Sequence, residues 1–231
     1  MNEKILFEKY KNNINTLKKQ IKEICEKTGR NPEEITIIAA TKYADAESID
    51  IIRKLGVIDM GENRAGELIK KNICVGKGAR WHFIGHLQRR KARDVVPVVE
   101  YIHSIDSMRI LEKVSSEAKK CGKIQKVLIE VNISGEESRY GLNMDNVVDF
   151  IAKAEKIHNI EVRGLMTMAP YVDDMEHIRE VFRRLRKVKE KICVRGGLES
   201  FSELSMGMSN DFNIAIEEGA TMIRIGSNIF K

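Results

Sequence analysis

Apolar positions recur along this chain in two alternating rhythms. From about residue 4 to 28, Ile5, Leu6, Tyr10, Ile14, Leu17, Ile21 and Ile24 follow the three-to-four spacing of a helix with one buried face, and Gly29 ends it. Short apolar runs then appear at 35–41, 57–60, 81–85, 101–105, 126–132, 160–166, 202–206 and 221–225. Runs such as Ile35-Thr36-Ile37-Ile38-Ala39-Ala40-Thr41 are apolar without alternation, the pattern of strands covered on both faces. Helical patterns separate them at 46–55, 64–73, 89–97, 107–120, 144–157, 174–192 and 210–218, with a short turn after Gly226. Eight strand-helix units in this length predict one α/β domain over 1–231, a TIM-type (β/α)8 barrel with the first helix as an added N-terminal cover. A doubly wound open sheet is the alternative. No Pro/Gly/Ser-rich linker or repeat interrupts the pattern, and the chain ends just past the eighth run, leaving no residues for a second domain.

Composition narrows the class. Hydrophobic residues make up 42%, charged residues 32%, and there are three prolines, which describes a soluble, helix-rich globular protein. No stretch approaches a membrane span, and Met1-Asn2-Glu3-Lys4 lacks the basic-then-apolar profile of a secretory signal, so the cytoplasm is expected. Cys25, Cys74, Cys121 and Cys193 have neither Cys-x-x-Cys nor zinc-site spacing and read as reduced thiols serving as small apolar side chains. The net charge of +6 raises a nucleic-acid partner, with basic clusters at Arg89-Arg90-Lys91 and Arg183-Arg184-Leu185-Arg186-Lys187. No aromatic residues interleave with either cluster, and the second lies in a helical pattern rich in Glu and Lys, so neither nucleic acid nor membrane is expected as partner.

Candidate chemistry gathers at the C-terminal ends of the strands, which face the catalytic mouth of such a barrel. Lys42 closes the first run, where a desolvated amine can attack carbonyls. After the seventh run comes Ser205-Met206-Gly207-Met208-Ser209-Asn210-Asp211, and after the eighth Arg224-Ile225-Gly226-Ser227-Asn228. Barrels bind phosphate in these two loops; Gly226 lets backbone approach an anion and Ser227 adds a hydroxyl. Ordinary strand-to-helix turns, with Ser209 or Asn210 as an N-cap, account for the same residues. Arg224 interrupts an apolar strand and needs an acceptor, either a neighbouring carboxylate or a ligand's ring nitrogen or phosphate. In a closed barrel the eighth strand pairs with the first, so the lysine and the anion loops become neighbours. Pyridoxal 5′-phosphate needs that combination: an amine for its aldehyde and donors for its phosphate.

These residues resemble the pyridoxal phosphate homeostasis proteins, which are similar in fold to the N-terminal barrel domain of alanine racemase. The resemblance spans nearly all of the chain after the first helix. It rests on Ala40-Thr41-Lys42, Gly61-Glu62-Asn63, Trp81-His82-Phe83-Ile84-Gly85-His86-Leu87-Gln88, Val131-Asn132-Ile133-Ser134, Gly164-Leu165-Met166, Leu204 through Asp211, and Arg224-Ile225-Gly226-Ser227. It implies that Lys42 carries pyridoxal 5′-phosphate as a Schiff base, that Ser209, Gly226 and Ser227 hold its phosphate, and that Arg224 faces the pyridine nitrogen. Asn63 and His82 would line the pocket beside the ring, and Met206 would supply an apolar wall or a backbone contact. On spacing alone Asn63 equally reads as a helix cap, and the methionines read as core fillers. His82 and His86 sit on a strand-to-loop segment, without the carboxylate of a zinc motif, so no metal is expected. Three positions depart from the family pattern: Arg90 stands where an asparagine is common, Arg139 for a lysine and Ser227 for a threonine. The changes at 139 and 227 keep charge or hydroxyl; the one at 90 leaves the role of its loop open.

A carrier is favoured over an enzyme. Racemisation needs an acid/base group on each face of the ring, and in the racemase relatives the second, a tyrosine, comes from a further domain that this chain stops short of. An arginine at the ring nitrogen also disfavours its protonation and weakens the electron sink. The resemblance therefore implies a protein of intracellular cofactor homeostasis, monomer or weak dimer, contacting apo-enzymes transiently and having no catalytic residues. A slow Schiff-base enzyme and a cofactor-free sugar-phosphate barrel are the alternatives.

Overall fold

In the computed structural model, which describes residues 3–136, 139–194 and 200–231, strands and helices alternate as the apolar rhythm requires. Met1 and Asn2, part of the segment read for a signal, lie outside the described residues. The order is α1 (Glu3–Thr28), β1 (Thr36–Ala40), α2 (Ala46–Lys54), β2 (Asp59–Glu62), α3 (Ala65–Val75), β3 (Arg80–Phe83), α4 (Ala92–Val95), β4 (Tyr101–Ile105), α5 (Met108–Lys120) and β5 (Gln125–Asn132). There follow β6 (Leu142–Asn143), α6 (Val147–Ala154), β7 (Ile160–Met166), α7 (Met175–Val194), β8 (Glu203–Met208), α8 (Phe212–Glu217), β9 (Met222–Ile225) and α9 (Ser227–Phe230).

The strands run β4-β3-β2-β1-β9-β8-β7-β5, and β4 also pairs with β5, which closes an eight-stranded barrel and rules out the open sheet. Every pairing is parallel. The ninth strand, β6, is two residues long, pairs only with the end of β5, and carries too little apolar signal to be predicted. Residues 89–97 form a short 3-10 turn followed by the four-residue α4, not the continuous helix their pattern suggests. β2 reaches two residues past its apolar run, because Gly61 is paired on both sides, with Ala40 and with His82.

Two apolar layers hold this together. The larger lies between barrel and helices and includes Ile49, Ile52, Leu68, Val95, Leu111 and Phe182, all fully buried. Burial of each such side chain contributes about 1.5–3 kcal/mol. The smaller fills the barrel itself with Ile38, Tyr101, Leu128, Met166 and Met222. Of the cysteines only Cys25 is buried; Cys74, Cys121 and Cys193 are exposed, so the role of apolar filler holds for one of four.

The first helix does more than cover apolar surface. It packs on α2, α8 and α9, and Asn13 Nδ2 donates to the carbonyls of Ile229 and Lys231, both at 2.9 Å. Tyr10 sets its ring edge-on to Phe230 and its hydroxyl 3.0 Å from Ser48. These contacts tie α9, the turn that opens with Ser227, to α1 and, through Tyr10, α1 to α2. Among the described residues no helix is long and apolar enough to cross a membrane.

Candidate functional site

The C-terminal ends of β1, β8 and β9 meet around a cavity of about 560 Å³, lined by Lys42, Met208, Ser209, Arg224, Gly226 and Ser227, with Tyr10, Tyr43 and Tyr171 at its sides. β9 lies between β8 and β1, so pairing alone brings the two anion-type loops beside the lysine.

The platform under Lys42 is built from groups the sequence reading left without a role. The Thr41 hydroxyl donates to the Gly61 carbonyl and to Glu62 Oε2, each at 3.1 Å. Lys71, reaching from α3, donates to Glu62 Oε2 at 2.5 Å and to the Thr41 carbonyl at 2.6 Å. Glu62 Oε1 accepts from the backbone N–H groups of Asn63, at 2.8 Å, and Arg64. Glu62 and Lys71 are both buried, and the hydrogen bonds from Thr41, Asn63 and Arg64 to the carboxylate and from Lys71 to the Thr41 carbonyl offset part of the cost of burying the pair. Lys42 itself lies two residues beyond the end of β1, exposed, with its ammonium 4.9 Å from the centre of the Tyr43 ring. The desolvated amine expected from the strand pattern is thus corrected: the amine stands in solvent on a rigid base.

Ser209 and Asn210 do not cap α8. Its cap is Asp211, whose carboxylate accepts from the Met208 N–H at 2.5 Å, while burial pushes that carboxyl up despite the hydrogen bond and the charge of Arg224. Ser209 Oγ instead accepts from the Gly226 N–H at 3.2 Å, and Asn228 donates back to the Ser209 carbonyl at 3.2 Å. The two loops are therefore one unit. Gly207 permits it: its φ is +92°, and a side chain there would meet Ala215 Cβ at 2.5 Å, blocking the approach of α8. Gly226 differs, since its φ is −111° and an added Cβ would meet only Ala40, at 3.6 Å. Neither backbone conformation nor packing demands glycine there; a side chain would enter the cavity that Ala40 and Gly226 both line. Ser227, the first residue of α9, lines the same cavity, and the first N–H groups of a helix have no intrahelical acceptor.

Arg224 is buried, yet among the described residues no carboxylate hydrogen-bonds to it. Nη1 donates to Ser205 Oγ at 2.6 Å and Nη2 to the Thr167 carbonyl at 2.9 Å, leaving Nε without a partner among the described residues. Thr167 is itself fixed, its hydroxyl donating to the Val131 carbonyl at 2.7 Å. Burial lowers the guanidinium pKa to about 10, partly offset by the charges of Asp211 and Glu130, so it stays cationic at neutral pH. Burial and the charge of Asp106 push the Glu130 carboxyl up to about 7, against the pull of Arg224.

Three expected residues stand elsewhere. His82 is fully buried inside the barrel, 3.0 Å from His103 and 2.8 Å from Asp59, and does not line the cavity. Met206 turns outward into the layer between barrel and helices, so it is no apolar wall. Asn63 is exposed just before α3, outside the cavity lining; it does not cap that helix, whose N-cap position is Arg64 and which has no side-chain cap among the described residues. Period-two reasoning explains both buried misses: on β3 and β8, one residue of each adjacent pair faces the interior and the other the helices. Arg90 lies on the neighbouring 3-10 turn, donating to Gln88 Oε1 at 3.2 Å, and is likewise outside the cavity. Among the described residues no group of three or more His, Cys, Asp and Glu is arranged to hold a metal.

A lysine and two hydroxyl-bearing loops at the ends of adjacent strands of a small parallel barrel define a class, and the chain matches the family model of the alanine racemase N-terminal domain over residues 8–231. Within that class it belongs to the pyridoxal phosphate homeostasis protein family. It is 36% identical over 212 residues to the pyridoxal phosphate homeostasis protein of Aquifex aeolicus, covering 91% of this chain and 92% of that one. Among solved structures, a protein from Bifidobacterium adolescentis aligns with a TM-score of 0.92 and 34% identity, covering 98% of this chain and 96% of that one. PipY of Synechococcus elongatus, solved with pyridoxal phosphate bound, aligns with a TM-score of 0.81 and 28% identity, covering 92% of this chain and all of the other.

Proposed function

We propose that this chain binds pyridoxal 5′-phosphate in the cavity at the ends of β1, β8 and β9 and serves in its homeostasis, buffering the reactive aldehyde and delivering the cofactor to apo-enzymes in the cytoplasm. The observation that carries this reading is the sharing of one cavity by the Lys42 amine and the Ser209–Gly226–Ser227 cradle, across which a cationic Arg224 keeps an unpartnered N–H. The ligand found in PipY agrees with it. Lys42 would hold the cofactor by its aldehyde, its exposed amine being the group suited to a reversible Schiff base there. Ser209, the Gly226 backbone and the first turn of α9 receive the phosphate, where N–H groups favour an anion.

Arg224 would donate to the ring nitrogen and, being cationic, would disfavour its protonation. The bound cofactor supplies an electrophilic imine, and with a neutral ring it is a weak sink for electrons. The solvent-exposed amine and open mouth do little to exclude water from a reacting centre. Reversible holding therefore suits the site better than turnover. A slow amino-acid racemase or other Schiff-base enzyme is the second reading, favoured by the phenols of Tyr43 and Tyr171 on the same cavity; amino-acid turnover in proportion to bound cofactor would select it.

The test is the visible spectrum of the protein with added pyridoxal 5′-phosphate, followed by borohydride reduction and peptide mapping. A yellow protein whose reduced adduct maps to Lys42, and which Lys42→Ala abolishes, is the expected result. A colourless protein without adduct would overturn the proposal and return the cavity to a plain phosphate ester.

A further inference from the structure

A line of buried hydrogen bonds leaves Arg224 and crosses the barrel. Arg224 Nη1 meets Ser205 Oγ on β8; Ser205 Oγ lies 2.9 Å from His103 Nδ1 on β4; His103 Nε2 lies 3.0 Å from His82 Nδ1 on β3; His82 Nε2 lies 2.8 Å from Asp59 Oδ1 on β2. Asp59 is closed from the far side by Arg80, at 2.5 and 2.7 Å. One end lines the cofactor-type cavity and the other a pocket at the opposite end of the barrel. Ser205, His103 and His82 are all fully buried, among apolar neighbours such as Tyr101 and Met166. Leaving such groups in the barrel costs free energy unless each is satisfied.

The donor order follows from the anionic end. Burial raises the Asp59 carboxyl, but hydrogen bonds from His82 and Arg80 more than offset this, so it is a carboxylate and only accepts. His82 Nε2 must then carry a proton, and with a neutral ring its Nδ1 accepts. His103 Nε2 must donate to it, which leaves His103 Nδ1 to accept from the Ser205 hydroxyl. Ser205 thereby keeps a lone pair for Arg224. Burial above all, with the charge of Arg224, holds His103 well below the ordinary imidazole range, in keeping with its neutral form. Were His82 an imidazolium, the middle of the chain would reverse. Ser205 would accept from both sides, and its own proton would face no acceptor among the described residues.

We infer that Ser205, His103 and His82 are positioning residues for Arg224: a one-way chain anchored on Asp59 pins the serine hydroxyl and so sets the plane in which the guanidinium meets the cofactor's ring nitrogen. A serine hydroxyl without a fixed acceptor rotates; this one cannot. Each donation also strengthens the next acceptor along the line. The inference rests on reading Arg224 as the ring-nitrogen donor, and its test separates the two.

Nitrogen-15 spectra of the protein without cofactor, at neutral pH, report the tautomers directly. Both His82 and His103 are expected as Nε2–H, and an Nδ1–H tautomer in either ring overturns the chain; this measurement needs no substitution and decides the matter even where a variant fails to fold. With pyridoxal 5′-phosphate added, Ser205→Ala and His103→Phe are expected to shift the visible band in the same direction as Arg224→Gln and to weaken binding about tenfold, the scale of one lost charge-assisted hydrogen bond. Ser205→Thr restores the band, and Met166→Leu, in the same interior, leaves it unmoved. If Arg224→Gln has no spectral effect, the reading of Arg224 falls. If it has one and Ser205→Ala and His103→Phe do not, the positioning chain alone falls.

Discussion

The two ends of the barrel treat charge in opposite ways. At the N-terminal floor charges are matched within the protein: Asp59 with Arg80, Glu100 with Lys126 at 2.6 Å, Glu161 with Arg163 at 3.0 Å. At the C-terminal mouth Lys42 makes no ion pair among the described residues, Arg224 has no carboxylate partner there, and the hydroxyl of Ser227 finds only its neighbour Asn228 at 3.5 Å. Conformational stability explains the floor completely. It does not explain the mouth, where three groups that can donate to an anion share one cavity and none of them is paired with a carboxylate among the described residues.

The contrast can be broken from either side. The largest effect is expected at the mouth: Lys42→Ala abolishes the reducible adduct altogether while thermal unfolding is unchanged, because the side chain is exposed and braces nothing. Next is the platform beneath it. Glu62→Gln strands the Lys71 ammonium in a buried setting, and denaturant titration should show a loss of about 3–5 kcal/mol.

A smaller and pH-dependent effect is expected at Glu130. Unfolded, this carboxyl releases its proton near 4.5; folded, burial and Asp106 hold the proton up to about 7, with Arg224 pulling the other way. Between those values the folded state binds more protons, so the group's contribution to stability falls as pH rises from 4.5 to about 7 and is flat above. Glu130→Gln should therefore be more stable than the parent by on the order of 2 kcal/mol at pH 8, and no more stable at pH 4.5. An unchanged difference across that range would remove the coupling. The smallest effect belongs to the floor: Glu100→Gln breaks a pair exposed by more than a third on each side and should cost less than about 1 kcal/mol, shrinking further in high salt.

Much of this is legible in the sequence. Eight apolar runs of strand length, separated by amphipathic stretches, led to the barrel and to the amphipathic cover α1, because burial on both faces leaves a continuous apolar signature. The site's outline was legible as well: a lysine ending β1, small hydroxyl-bearing turns after β8 and β9, and an arginine inside an apolar strand. What misled was direction. His82 and Met206 lie in motifs that surround the site, but neither lines the cavity, and in a barrel the difference between cavity, interior and helix-facing layer is a matter of one residue along the strand and of depth along the axis.

By itself, the sequence determined which segments are strands and helices, that they alternate, and which residue types stand at the strand ends, since these follow from local periodicity and turn chemistry. The tertiary structure alone decided who meets whom. It closed β4 on β5, joined Ser209 to Gly226 across two loops, set Lys71 from α3 under Lys42, and threaded Asp59, His82, His103, Ser205 and Arg224 through five strands into one line. Such contacts link residues up to 102 positions apart, and no local pattern records a distance that only barrel closure makes short.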